Sequence, residues 1–104
     1  MAIRQIAEYQ VKRTAVDTVK TAIEEFVRYV HAHEPGTQVY AAWQRQDDPT
    51  RFAHFFIFED EAAQQAHGRS DAVKRFEAVY GPELVSERVV FTDYTLIAEK
   101  IVAK

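Results

Sequence analysis

The most informative hydrophobic pattern lies in the middle of the chain, where residues 51–60 read RFAHFFIFED. The side chains of an extended strand alternate between two faces. One face of this predicted strand carries Phe52, His54, Phe56 and Phe58. The other face carries Ala53, Phe55 and Ile57. Neither set is polar, so this predicted strand has no face suited to water.

The first third of the chain predicts a strand followed by a helix. Residues 3–12 form a short apolar run that indicates a first strand. Downstream, apolar residues recur at spacings of three, four and seven, which define one stripe along a helix. These residues are Val16, Val19, Ile23, Phe26, Val27 and Val30. Thr14 and Asp17 predict a capping box at the start of this helix, and Glu34-Pro35-Gly36 predicts its end.

The remaining pattern predicts a hairpin, an interrupted helix and a last strand. Thr37 to Arg45 is the second strand, and a polar turn at residues 46–50 joins it to the third. Asp60 is the expected cap of a helix that Gly68 interrupts. Ser70 then caps the continuation, which Gly81-Pro82 ends. Residues 89–97 are rich in β-branched and aromatic side chains and predict the fourth strand.

This order of elements predicts an α+β fold, a ferredoxin-like βαββαβ sandwich with an antiparallel four-stranded sheet, in a single domain over residues 1–104. Right-handed crossovers place both helices on the same face of the sheet. The second face would then expose a large apolar area, which monomers rarely tolerate. We therefore expect a homodimer packed face to face through its sheets, with a different protein partner as the alternative. Residues 100–104 form a tail that a partner would order.

Composition narrows the function classes. The chain has a net charge of −3, and its Lys and Arg residues are scattered, so nucleic-acid binding is not expected. The absence of cysteine excludes disulfides, thiolate metal sites and a cysteine nucleophile, and favours a cytoplasmic location. No apolar run approaches the length of a membrane span, so no membrane partner is expected.

The polar and aromatic landmarks of residues 34–84 and 89–97 resemble the antibiotic biosynthesis monooxygenase (ABM) domain of the dimeric α+β barrel superfamily. The matching features are Glu34-Pro35-Gly36, Asp48-Pro49, Phe52, Phe58-Glu59-Asp60, Glu61-Ala62-Ala63, Ala66-His67 and Phe76. The resemblance implies a dimer whose two sheets form a barrel. Characterised members include oxygenases that act on phenols, hydroquinones or anthrone-like polyketides without flavin or metal, and others that degrade haem.

The resemblance implies a catalytic role for His67, which matches a histidine that commonly closes this helix opening in the family, beside a cleft between sheet and helices. A neutral imidazole there could take a proton from a phenol, and the resulting anion could react with molecular oxygen. The alternative is that His67 only packs or caps locally before Gly68. No cofactor or metal is expected. His31 and His33 do not predict a metal site, because residues two apart on a helix diverge by about 200°.

Several aromatic residues are candidates for binding a flat substrate. His54 belongs either to an aromatic pocket beneath the helices or to the interface with a partner sheet, because the sequence leaves the two strand faces unresolved. We expect the substrate-binding set to be His54, Phe56, Phe58, Trp43, Phe76, Tyr80 and Tyr9. Tyr9, Tyr40, Trp43, Tyr80 and Tyr94 have the alternative of packing only in the core or the interface.

The chain also departs from the family pattern. It contains no asparagine, whereas the better-understood oxygenases and the haem-degrading members use one in the pocket. The haem-degrading branch has a tryptophan where this chain has His67, and an iron-binding histidine where it has Glu77, so haem degradation is not expected. Two functions remain: a cofactor-independent monooxygenase of a small aromatic substrate, or a non-catalytic dimer that binds a small ligand or serves as an accessory protein.

Overall fold

The computed structural model describes residues 1–86 and 88–101, and its elements follow the predicted order. They are β1 (Ile3–Gln10), α1 (Val16–His33), β2 (Thr37–Gln44), β3 (Arg51–Phe58), α2 (Glu61–Arg69), α3 (Asp71–Tyr80) and β4 (Val90–Tyr94). The strands form one antiparallel sheet in the order β2-β3-β1-β4. The predicted α+β ferredoxin-like fold is therefore confirmed.

The helix N-termini show which of the predicted capping residues form caps. Asp60 and Ser70 cap α2 and α3 as predicted, each accepting a hydrogen bond from the backbone N–H three residues later. The capping box predicted at Thr14 is wrong. A 3-10 turn at Arg13–Ala15 leads into α1. The N-cap residue of α1 is Ala15, which is buried and makes no capping hydrogen bond with its side chain. Within the described ranges, no helix has both the length and the apolar character needed to cross a membrane.

The fourth strand is shorter than predicted. β4 pairs only with residues 4–8 of β1, and residues 95–101 leave the sheet as exposed chain without regular structure. The prediction of a strand continuing to Ile97 is therefore wrong: the register pairs Tyr94 with Arg4, and β1 begins only one residue earlier, at Ile3. Of the predicted tail, residues 102–104 lie outside the described residues.

The sheet has one face under the helices, which we call the covered face. Over the other face, which we call the open face, residues 1–86 and 88–101 place no second layer. On β3 the buried positions are Phe52, His54, Phe56 and Phe58. Strand register places Tyr9, Ala7 and Gln5 of β1 and Tyr40 and Ala42 of β2 on this covered face. The helices contribute Val19, Ile23, Phe26, Val30, Ala72 and Phe76 to the same core. The strand faces that the sequence left unresolved are thus assigned: His54 lies beneath the helices.

The open face is apolar along much of its area. It carries Ile6, Val39, Ala41, Trp43, Ala53, Phe55, Ile57, Val90 and Tyr94, together with the charged Arg4 and Glu8. Trp43 is 56% exposed and Tyr94 is 53% exposed, whereas Phe58 on the covered face is 1% exposed.

Candidate active site

A cleft of about 340 Å³ lies between the covered face and the helices. Its polar wall groups are Gln5, Tyr9, Tyr40, His54, Gln64, His67, Glu77 and Tyr80, and its apolar wall includes Phe26, Phe56, Phe58, Val73, Phe76 and Phe91. Apolar walls with a few polar groups are typical of small-molecule sites.

His67, on α2, is held by a carboxylate from the end of α1. Its Nδ1 lies 2.7 Å from Glu34 Oε1, and only 13% of the His67 side chain and 11% of the Glu34 side chain are exposed. Because a carboxylate can only accept, Nδ1 carries the hydrogen. When the ring is neutral, the lone pair then resides on Nε2, and the imidazole is oriented as a proton acceptor.

The neighbours of Glu34 fix the carboxylate in turn. Thr37 Oγ1 donates to the same oxygen, Oε1, at 2.9 Å. The other oxygen, Oε2, is buried and has no hydrogen-bond partner among the described residues. A carboxylate whose Oε1 is shared between Thr37 and His67 suits the orienting member of a carboxylate–imidazole pair.

Local packing brings α2 close enough for this contact. The Glu59 N–H donates to the Gly36 carbonyl at 2.8 Å, and Asp60 caps α2 through the Ala63 N–H at 2.9 Å. A Cβ atom added to Gly36 would lie only 2.7 Å from the Cβ of Ala63. Glycine at this position therefore permits α2 to lie against the start of β2, which sets the position of His67.

Aromatic rings surround the imidazole of His67. The ring centroids of Phe58, Phe26, Tyr40 and Phe56 lie 5.1, 5.6, 5.7 and 6.2 Å away. Such a wall favours a flat aromatic ligand, because stacking and apolar burial both contribute to affinity.

A second polar group is built into the floor of the cleft. His54, 1% exposed, has Nε2 at 2.8 Å from the Tyr9 hydroxyl and Nδ1 at 2.7 Å from the Tyr40 hydroxyl. Burial lowers the pKa of His54 to about 4, so this imidazole is neutral near pH 7. Burial, followed by the nearby tyrosine hydroxyls, raises the pKa of Tyr9 well above its usual value. Burial and then the Glu77 carboxylate raise the pKa of Tyr80 to about 12.

Most residues of the predicted substrate-binding set lie together in the cleft. They are Tyr9, His54, Phe56, Phe58, Phe76 and Tyr80, with the predicted catalytic His67 beside them. Trp43 is the correction: β2 register places it opposite Ala53 on the open face, on the other side of the sheet from the cleft. Alternation along β2 puts Tyr40, not Trp43, on the cleft side.

Two site residues were not predicted. Glu34 was interpreted as part of a helix stop and of the family landmark Glu34-Pro35-Gly36, without a site role. Tyr40 was named only among the aromatics that could pack in the core or the interface, and it was not in the expected binding set. For Glu34 a signal exists, because a carboxylate at a helix C-terminus opposes the helix dipole and implies a compensating partner. Tyr40 could have been predicted only if the face of β2 that lies beneath the helices had been known.

The expectation that the chain holds no metal stays a prediction. His31 and His33 are both exposed at the end of α1. In the part of the chain that is described, no three His, Cys, Asp or Glu residues are grouped so that they could hold a metal ion.

Comparison with known proteins adds the family context. The sequence model of the family described as Antibiotic biosynthesis monooxygenase matches residues 2–79. A proposed antibiotic biosynthesis monooxygenase from Bacteroides thetaiotaomicron has a similar structure, with a TM-score of 0.89 and 16% identity, covering 99% of this chain and 96% of that one.

Two further solved structures are similar. A proposed antibiotic biosynthesis monooxygenase from Caulobacter crescentus gives a TM-score of 0.85 and 20% identity, over 93% of this chain and 91% of that one. A conserved protein from Methanosarcina mazei gives 0.81 and 23% identity, over 90% and 91%. No curated protein sequence matches this chain.

Proposed function

This chain belongs to the antibiotic biosynthesis monooxygenase family, and we propose that it is a cofactor-independent monooxygenase of a small aromatic substrate such as a quinol, a phenol or a polyketide-like anthrone. The observation that carries the proposal is the Glu34–His67 pair on the wall of an aromatic cleft. An oriented imidazole beside stacked rings is what deprotonation of a bound phenol or activated CH₂ group requires.

In the proposed reaction His67 accepts a proton at Nε2 from the substrate, while Glu34 holds Nδ1–H and stabilises the imidazolium that forms. The substrate anion is electron-rich and reacts with molecular oxygen. For an anthrone, one oxygen atom becomes the new carbonyl oxygen at the CH₂ carbon. The second oxygen atom leaves as water with the two hydrogens of that CH₂ group. The substrate therefore supplies all the electrons that the reaction needs.

We further propose that the open face is covered by a second copy of the chain. The apolar residues Trp43 and Tyr94 stand on the open face and are 56% and 53% exposed. Two such faces packed around a two-fold axis would remove this area from water in a self-complementary interface. The cleft lies on the opposite side of the sheet, so substrate access and dimer formation do not compete.

Oxygen uptake tests the catalytic proposal. With a panel of hydroquinones and anthrones, wild type should consume oxygen, and His67→Ala should lower kcat/KM about 10²- to 10⁴-fold, the usual contribution of a general base. Glu34→Gln keeps the shape but not the charge, and it should lower the rate by about ten-fold or more. His31→Ala, at an exposed position outside the cleft, is the control and should keep wild-type rates.

The alternative function, non-catalytic binding of a small ligand, makes a different prediction. The absence of any asparagine in the chain favours this alternative, since it removes a residue that oxygenases of this family use. Saturable binding of the same panel without oxygen uptake by wild type would overturn the monooxygenase proposal. Equal rates for wild type and His67→Ala would overturn the role of His67.

A further inference from the structure

His54 is buried and has a hydrogen-bond partner on each ring nitrogen. Tyr9 lies on β1, Tyr40 on β2 and His54 on β3 between them, so the three side chains meet across adjacent strands of the covered face. The contacts are short, 2.8 Å from Tyr9 to Nε2 and 2.7 Å from Tyr40 to Nδ1. All three residues line the cleft. Neither tyrosine hydroxyl has another protein hydrogen bond within the described residues.

The hydrogen count of this group is constrained. A neutral imidazole has one N–H donor and one bare nitrogen acceptor, and each phenol has one hydrogen. One tyrosine must therefore donate to the bare nitrogen, and its oxygen can only accept from a ligand. The other tyrosine accepts from the ring N–H and keeps its own hydrogen, which it can donate.

Two arrangements satisfy these rules, and they differ only in the tautomer of His54. In one, Tyr9 offers an acceptor and Tyr40 a donor to the cleft; in the other, the roles are exchanged. Each arrangement pairs both ring nitrogens, so changing from one to the other leaves no buried nitrogen without a partner.

We propose that Tyr9, His54 and Tyr40 form a tautomer-coupled recognition site, which presents one phenolic donor and one phenolic acceptor and selects aromatic ligands that carry a hydroxyl and a carbonyl oxygen. This proposal rests on the proposed function only in placing an aromatic ligand in the cleft, and it requires no turnover. It assigns His54 a positioning role, distinct from the proton transfer assigned to His67.

The position of the group supports a recognition role. Tyr40 lies beside His67, with their ring centroids 5.7 Å apart, and Tyr9 stacks on Tyr80 at 5.3 Å. A ligand that contacts these hydroxyls would therefore lie within the same aromatic wall as the proposed base.

Binding of three probes with one ring skeleton tests the selection. 4-Hydroxyacetophenone carries a hydroxyl and a carbonyl, 4-methoxyacetophenone lacks the donor, and 4-ethylphenol lacks the carbonyl. By calorimetric titration under nitrogen, the first should bind about ten-fold more tightly than either of the others, the value of one net hydrogen bond. Equal affinities for the three would overturn the proposal. The monooxygenase proposal would be unaffected, because oxygen uptake tests it separately.

Two conservative variants test the tautomer coupling. A buried N–H without a partner is rarer than a buried acceptor without one, so the ring hydrogen should face whichever tyrosine remains. Tyr9→Phe should place it on Nδ1 and Tyr40→Phe on Nε2, which the ¹⁵N chemical shifts of the His54 ring distinguish. Because the remaining tyrosine is then the donor, both variants should lose the ten-fold preference over 4-methoxyacetophenone and keep the preference over 4-ethylphenol.

Tyr94→Phe, on the open face, is the matched control and should retain the preference and the wild-type ring shifts. The same His54 tautomer in Tyr9→Phe and Tyr40→Phe would overturn the coupling. So would an unchanged probe preference in both variants. The ring shifts and the probe binding are both measured on the folded protein. A loss of stability in either variant therefore cannot be mistaken for an unchanged tautomer or an unchanged probe preference.

Discussion

The two faces of the sheet are built from the same strands and have similar side chains, yet they have different surroundings. Phe58 on the covered face is 1% exposed, and its neighbour in sequence, Ile57, is only half-buried on the open face. The covered face has a layer of helices and a buried histidine, and among the described residues the open face has neither. The difference explains how one strand without a polar side can line the cleft with one face and carry the proposed dimer surface on the other.

The largest effect is expected from truncation on the covered face. Phe58→Ala removes a fully buried ring and should lower the free energy of unfolding by about 3–5 kcal/mol, measured by urea denaturation. The residues that cover Phe58 belong to the same chain. The decrease in the free energy of unfolding should therefore be the same at every protein concentration. The loss from Phe55→Ala on the open face should instead grow with concentration as the partner assembles. If the stability losses of Phe58→Ala and Phe55→Ala depend on protein concentration in the same way, the proposed difference between the two faces is wrong.

The buried histidine of the covered face predicts a pH dependence. Burial lowers the pKa of His54 to about 4 from an unfolded value near 6.5. The unfolded chain binds the proton first, so this contribution to stability is complete above pH 6.5 and is lost as pH falls toward 4. Between pH 7 and pH 4, wild type should lose about 3 kcal/mol relative to His54→Gln. The exposed His31→Gln should follow wild type, and parallel profiles for wild type and His54→Gln would contradict the prediction.

A charge introduced at an apolar position of the open face should dissociate the proposed dimer and leave the packing of the covered face unchanged. Phe55→Lys would bury an unpaired ammonium in the proposed interface, so the dimer dissociation constant should rise at least about 100-fold, or about 2.7 kcal/mol. Sedimentation velocity measures the change, and far-ultraviolet circular dichroism should stay native. Arg4→Lys, which keeps the charge on the same face, is the control. A monomeric wild type would contradict the proposed dimer.

The smallest effect concerns the helix that closes the covered face. α2 has no buried residue of its own, so its cap contributes a large share of its local stability. Asp60→Ala removes the acceptor for the Ala63 N–H and should cost about 1 kcal/mol in thermal or urea unfolding. Asp60→Asn keeps an acceptor oxygen and should be nearly neutral. Equal losses in the two variants would show that the charge of Asp60, and not the hydrogen bond, is what matters.

Local signals predicted the elements well, because each acts within a few residues. Asp60 and Ser70 cap their helices as the sequence indicated, and the ends of α1 and β3 lie where proline, glycine and polar residues predicted them. The order of these elements was then enough for the ferredoxin-like fold, since the handedness of crossovers is a general rule.

The faces of the strands were beyond the sequence, because both sides of β3 are apolar and alternation gives no direction. The expected binding set combined the cleft side of β3 with the opposite side of β2, so Trp43 was included and Tyr40 was not. The contact between Glu34 and His67 joins residues 33 positions apart, and its formation depends on how α2 packs against Gly36. Such a contact follows from tertiary packing and not from any local motif.

A crystal structure of the protein with 4-hydroxyacetophenone bound tests the division between the faces most directly. We expect the ring in the cleft, with an oxygen within hydrogen-bond distance of Tyr9 or Tyr40, and a second copy covering Trp43 and Phe55. A ligand seated on the open face, or a partner packed against the helices with the open face bare, would contradict it.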